Sequence, residues 1–125
     1  MQRTYVPGVC NLSDAEAKRR TIGGWTGLIV SILLELFFLY ANTDPVIRLI
    51  IFIPAAFGAM GFLQSAMHFC VNFGMRGLFN VSEQVGKTES VAQAQFRAQD
   101  KAKAIRIIVY SIVIGIVVAI LAYVS

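Results

Sequence analysis

The chain has 125 residues, of which 57% are hydrophobic and only 14% charged, against roughly 25% charged in an ordinary soluble domain. At a mean hydropathy of +0.68, a soluble fold of this size could not cover its own apolar surface, so one small membrane domain is expected, with the lipid bilayer as its solvent. The net charge of +4 sits in segments that flank apolar stretches. Membrane topology alone requires such flanks, so the charge is no argument for nucleic acid as a partner.

Residues 1–21 form a charged N-terminal segment with no small-residue cleavage site, and are expected to be retained in the cytoplasm rather than removed as a signal. Ser13 is placed to cap a helix, with Glu16 three residues on as its reciprocal capping-box partner. Lys18, Arg19 and Arg20 then fall at the headgroups, as lipid or partner contacts. The first apolar stretch, 22–41, has about the ~20 residues that an α-helix needs to cross a hydrocarbon core, with Trp25 and Tyr40 at its two interfaces. The turn Asn42-Thr43-Asp44-Pro45 predicts a tight antiparallel hairpin over 22–64, whose second span, 46–63, should bend at Pro54.

Polarity rises after Leu63, and 65–90 reads as a cytoplasmic interfacial segment with 69–79 lying along the membrane. The run Gly86-Lys87-Thr88-Glu89-Ser90 is the clearest break. Residues 91–125 read as one long helix whose basic first turns project from the membrane, with Arg97 and Lys101 as further headgroup or partner contacts, and whose remainder makes the third span, 107–124. Cations precede span one and separate spans two and three, whereas the first connection has none before Arg48. The positive-inside rule then gives N-in, C-out topology. The expected fold is an all-α integral membrane protein with three transmembrane helices.

Small residues recur at four-residue spacing. Gly23, Gly27 and Ser31 lead to Glu35 on helix one, Ala55 and Ala59 mark a face of helix two with Gly58 and Gly61 nearby, and Ser111, Gly115 and Ala119 line helix three. Such rows let helix backbones approach closely in lipid. They serve contacts within the monomer or docking to another membrane protein equally well.

Glu35 is the one acidic residue deep in a span, which makes it a functional candidate. Three readings stand: an ion-pair clasp with Arg48, whose depth differs by about 4.5 Å; transport or proton chemistry; and a contact to a partner. Cys10, His68 and Cys70 fall at the cytoplasmic face, where they read as structural or free thiols, a redox pair, or a thiol or metal contact. No fourth ligand is apparent, and neither a metal nor another cofactor is expected. No hydrolase, kinase or phosphate-binding motif is present, so an enzyme is not expected.

Asn11, Ser13, Glu16, Arg20 and Gly24, followed by Arg48, Pro54, Gly58, Gly61, Phe62 and Cys70, resemble the pattern of the YgaP-like family of small inner-membrane transmembrane hairpins over the first 80 residues. The resemblance implies the hairpin fold. Some relatives carry a fused rhodanese sulfurtransferase domain, which extends weakly to Cys10 and Cys70 as thiols near sulfur chemistry. Ser13 stands where the family has Gly, and the third span lies outside the resemblance.

Together these features predict a non-catalytic accessory or scaffold subunit of a larger complex in a prokaryotic inner membrane, or a homo-oligomer. Val91, Ala94, Ala98, Ala102 and Ile105 would form a docking seam, or else cover the chain's own amphipathic segment. The alternatives are a small homo-oligomeric transporter or channel using Glu35, and a thiol or metal site at the cytoplasmic face.

Overall fold

A computed structural model describes residues 5–81 and 88–125; Gly86 and Lys87, used above, lie outside them. Helix α1 (Asp14–Ala41) is followed by a short α2 (Pro45–Arg48), a 3₁₀ turn (Leu49–Ile51) and α3 (Phe52–Met67). A six-residue α4 (Val71–Arg76), two short strands β1 (Leu78–Phe79) and β2 (Glu89–Ser90), and α5 (Ala94–Val124) complete the chain. Three helical stretches, Asp14–Ala41, Pro45–Met67 and Ala94–Val124, are long and apolar enough to cross a membrane. Leu33, Phe37, Ile53 and Leu121 each leave more than half of their surface exposed, as side chains facing lipid do.

Each boundary has a local cause. Ser13 Oγ accepts from the Glu16 amide at 3.3 Å and caps α1. The return half of the capping box is replaced, because the Ser13 amide donates to the Asn80 carbonyl instead. Asn42 closes α1 in the left-handed conformation, and the Asp44 carboxylate caps α2 ahead of Pro45. Pro54 has no amide proton and its ring crowds the carbonyl four residues back, at Ile50. The backbone tightens there into the 3₁₀ turn Leu49–Ile51, which is the form the expected bend takes.

The α1–α3 crossing rests on glycine. A Cβ on Gly27 would stand 2.5 Å from the Gly58 Cα, and one on Gly61 would stand 2.6 Å from the Gly24 nitrogen. Gly24 itself faces the Phe62 ring, which is packed edge to face with Trp25. One turn further out, Thr21 and Ser65 hydrogen-bond through their hydroxyls. The seam thus runs through Gly24, Gly27 and Ser31, whereas Gly23 sits beside it with only the Phe57 ring near, at 3.9 Å. Ser31 turns its hydroxyl back to the Gly27 carbonyl, so its polarity is satisfied within its own helix.

Helix α5 packs on the other side of α3 through one stripe: Ala104, Ile107, Ser111, Gly115, Ala119 and Ala122 are all buried. Gly115 admits Ala56 and the Phe52 ring. Ala55 and Ala59 face a cleft between the spans rather than a helix seam. Between spans two and three, Phe69, Val71 and Phe73 are buried, with Phe69 and Val71 packed against Ala104 and Ile107. The 69–73 stretch therefore contributes core to the bundle's basic end. The strands pair antiparallel, Leu78 opposite Ser90 and Phe79 opposite Glu89.

These distances separate two neighbouring glycines. Gly27→Ala should lower stability by about 1–3 kcal/mol through overpacking, while Gly23→Ala should be nearly neutral; denaturation of both variants in mild detergent distinguishes them.

Candidate functional site

Polar side chains gather at the two ends of the bundle, and each end is organised around a short backbone stretch. At the basic end, residues 10–13 run between the α3–α4 turn and Asn80. The Asn11 amide donates to the His68 carbonyl (3.1 Å), the Asn80 amide to the Asn11 carbonyl (2.9 Å), and the Ser13 amide to the Asn80 carbonyl (2.8 Å). Fully buried Asn11 also pairs with the Cys70 backbone in both directions, Oδ1 accepting from the Cys70 amide at 2.7 Å and Nδ2 donating to the Cys70 carbonyl at 3.4 Å. A carboxamide used this way acts as an extra peptide group. It satisfies backbone that the turn would otherwise leave buried and unpaired.

Charged groups surround this pairing. Glu16, almost fully buried, accepts from Asn80 Nδ2 at 3.4 Å and lies 3.7 Å from Arg20, one turn along α1. Arg20 Nη2 donates to Cys70 Sγ at 3.1 Å. Gln64 Oε1 accepts from the Val71 amide at 2.9 Å and so caps α4 from α3. His68 closes α3 in the left-handed conformation, its Nε2 2.9 Å from Asp14 Oδ1.

The three sulfur and imidazole candidates therefore face different partners. Cys10 Sγ is directed at the Leu12 carbonyl (3.7 Å), Cys70 Sγ at Arg20 and the His68 ring at Asp14. Both cysteines are free and buried. Among the described residues, no three His, Cys, Asp or Glu side chains are grouped to hold a metal ion. Of the five expected headgroup or partner cations, Lys18, Arg19 and Lys101 point outward. Arg20 is engaged as above, and Arg97 donates to the Val91 and Ala92 carbonyls at 2.7 and 3.0 Å.

Asp100, wholly buried on α5, accepts from the Tyr5 hydroxyl at 2.6 Å and the Gly8 amide at 2.8 Å. Tyr5 in turn stacks on Phe79 at 4.5 Å. The N-terminal segment is thus fastened to the start of the third span as well as to the α3–α4 turn. Asp100, Tyr5 and Asn80 were not among the sequence candidates. Asp100 did carry a signal, because it continues the stripe of Ala104, Ile107 and Ser111 at helical spacing.

At the opposite end, Glu35 and Arg48 meet through Ser125 rather than through each other. Arg48, buried, donates from Nε to the Thr43 carbonyl at 3.0 Å and from Nη1 to the Ser125 carbonyl at 2.6 Å. Ser125 Oγ lies 2.8 Å from Glu35 Oε1 and 2.7 Å from the Ala122 carbonyl, and its single proton serves one of them at a time. Glu35 Oε2 is buried with no hydrogen-bond partner among the described residues. Glu35 also stands at the edge of a cleft of about 430 Å³ between the three spans, walled mainly by apolar side chains such as Leu28, Ile51, Phe62 and Val118, with Ser31 beside them.

Compared with family models, curated proteins and solved structures, the chain matches none.

The two ends give separate predictions. Burial, the hydrogen bond to Asp100 and the Asp100 charge, in that order, hold the Tyr5 phenol above its ordinary pKa. A raised folded pKa stabilises fully below the unfolded value, about 10, and that stability is lost as pH rises beyond it. The melting midpoint should fall above about pH 10, and less steeply in Tyr5→Phe. At the other end, Arg48→Ala removes two charge-assisted bonds worth about 1.5–3 kcal/mol each, whereas Glu35→Gln keeps an acceptor for Ser125. Arg48→Ala should be the more destabilising of the two in detergent unfolding.

Proposed function

We propose that this chain is a non-catalytic accessory or scaffold subunit of a larger membrane protein complex, held N-in and C-out in a prokaryotic inner membrane. The observation that carries this reading is the exposed small-residue face of α5. The N-terminal segment and the 69–76 region cover the side bearing Asp100, Ala104 and Ile107, and leave Ala94, Ala98, Ala102 and Ile105 exposed on the other. Val91 is buried and lies outside this seam. Their exposure supports docking over the alternative of covering the chain's own amphipathic segment.

Two further features support the reading. The buried polar groups at the basic end are committed to holding backbone together, as a rigid platform requires. The cations Lys18, Arg19, Arg76, Arg97, Lys101 and Lys103 all lie on the segments that gather at that end, which the positive-inside rule assigns to the cytoplasm.

A second reading, a small oligomeric transporter, draws on Glu35 alone, with its unpartnered oxygen beside the interhelical cleft. It requires Glu35→Gln to abolish flux in reconstituted vesicles.

Mild detergent extraction from native membranes, followed by sizing and mass spectrometry, tests the leading reading. A fixed-stoichiometry assembly with a larger protein is expected, and Ala98→Glu should release the chain from it while leaving its unfolding free energy within about 0.5 kcal/mol of wild type. A homogeneous species containing only this chain would overturn the subunit reading.

A further inference from the structure

A groove of about 420 Å³ opens between α1 and α3 at the basic end, separate from the apolar cleft beside Glu35. Its outer rim carries Arg19, Arg20 and Asn72, and its inner wall is made by Gly23, Phe57 and Met60. The change from cationic to apolar occurs within one helical turn, since Arg19 and Gly23 are four residues and ~6 Å apart along α1. Trp25, exposed two residues further on, marks the interface at the same level. The groove therefore straddles the boundary between headgroups and acyl chains.

The lining holds two guanidiniums and, among the described residues, no carboxylate. Arg19 is exposed and makes no ion pair with any described residue. Arg20 is oriented by Glu16 and Cys70 through Nη2 alone, so its Nε and Nη1 make no hydrogen bond with the described residues. A guanidinium aligned by one nitrogen presents its remaining donors in a fixed fork, the geometry that suits phosphate oxygens. On the inner wall, the missing side chain at Gly23 keeps the space open, the Phe57 ring standing 3.9 Å from where a Cβ would be.

We propose that this groove is a binding site for one anionic phospholipid, its phosphate between Arg19 and Arg20 and one acyl chain along Gly23, Phe57 and Met60. Charge complementarity selects the headgroup, and the apolar wall one turn deeper selects a lipid over a soluble phosphate. The site requires only that the chain spans a membrane, and is independent of whether the chain docks to a larger complex.

Native mass spectrometry of the purified full chain, delipidated and then titrated with phosphatidylglycerol, phosphatidylcholine or glycerol phosphate, tests the site. One retained phosphatidylglycerol per chain is expected, in clear preference to phosphatidylcholine, with no retention of glycerol phosphate. Arg19→Gln, which disturbs no internal contact, should reduce that preference roughly fivefold, as removal of one juxtamembrane cation does. Gly23→Leu should fill the inner wall and abolish one-to-one retention even with both arginines present. Equal retention of the two lipids, or a preference unchanged in Arg19→Gln, would overturn the proposal. Retention of glycerol phosphate as strong as that of the lipid would show a soluble-anion site and overturn it too.

Discussion

In lipid, two apolar helices gain little by burying side chains against each other, because the tails around them are equally apolar; close backbone packing must hold them instead. The contact of Gly27 with Gly58, and of Gly24 with Gly61, supplies that packing here. It also sets the register of α3 against α1, which brings Ser65 level with Thr21 and His68 level with Asp14. Everything at the basic end depends on that register. A shift of one residue would turn Ser65 away from Thr21 and His68 away from Asp14, and the turn leading into α4 would lose its alignment with Asn11.

That end solves a different problem from the spans. The chain must pass from α3 to α5 through a region too apolar to be a free loop, while each peptide group in it still needs a hydrogen bond. The solution borrows the N-terminal segment, whose backbone runs between His68 and Asn80 and whose Asn11 side chain completes the Cys70 peptide. Gly77, left-handed and pressed against the Arg97 stem, turns the chain from α4 into β1. Buried Asp100 then anchors Tyr5 and Gly8 to α5. The segment before the first span is consequently part of the core of this end.

The spans were legible because their signals are local: about twenty apolar residues, interfacial aromatics, and Pro54 acting on the carbonyl four residues before it. The rows of small residues were legible as rows, but their partners were not. Gly23 and Gly24 are adjacent in sequence, and only the crossing geometry shows that Gly24 lies in the seam. The basic-end network was largely hidden, since it depends on pairings between residues about 60 apart in sequence, such as Asn11 with Cys70. For Glu35 and Arg48, depth arithmetic brought the side chains near each other without showing that Ser125 would stand between them.

The two ends also differ in how their helices are fastened. At the basic end, several backbone hydrogen bonds cross between segments, and removing any one side chain leaves most of them in place. At the far end, Arg48 reaches both the α1–α2 connection at Thr43 and the end of α5 at Ser125, and Ser125 in turn meets Glu35 on α1. Three spans are thus joined through the side chains of Arg48, Ser125 and Glu35 and the carbonyls of Thr43 and Ser125. A guanidinium suits that position because its donors lie in a plane wide enough to serve two carbonyls at once. Lys at position 48 would offer a single point of charge on a flexible stem and could not hold both in the same geometry. The cleft beside Glu35 opens next to this sparser fastening, so the far end is where the three spans can separate with the fewest hydrogen bonds broken.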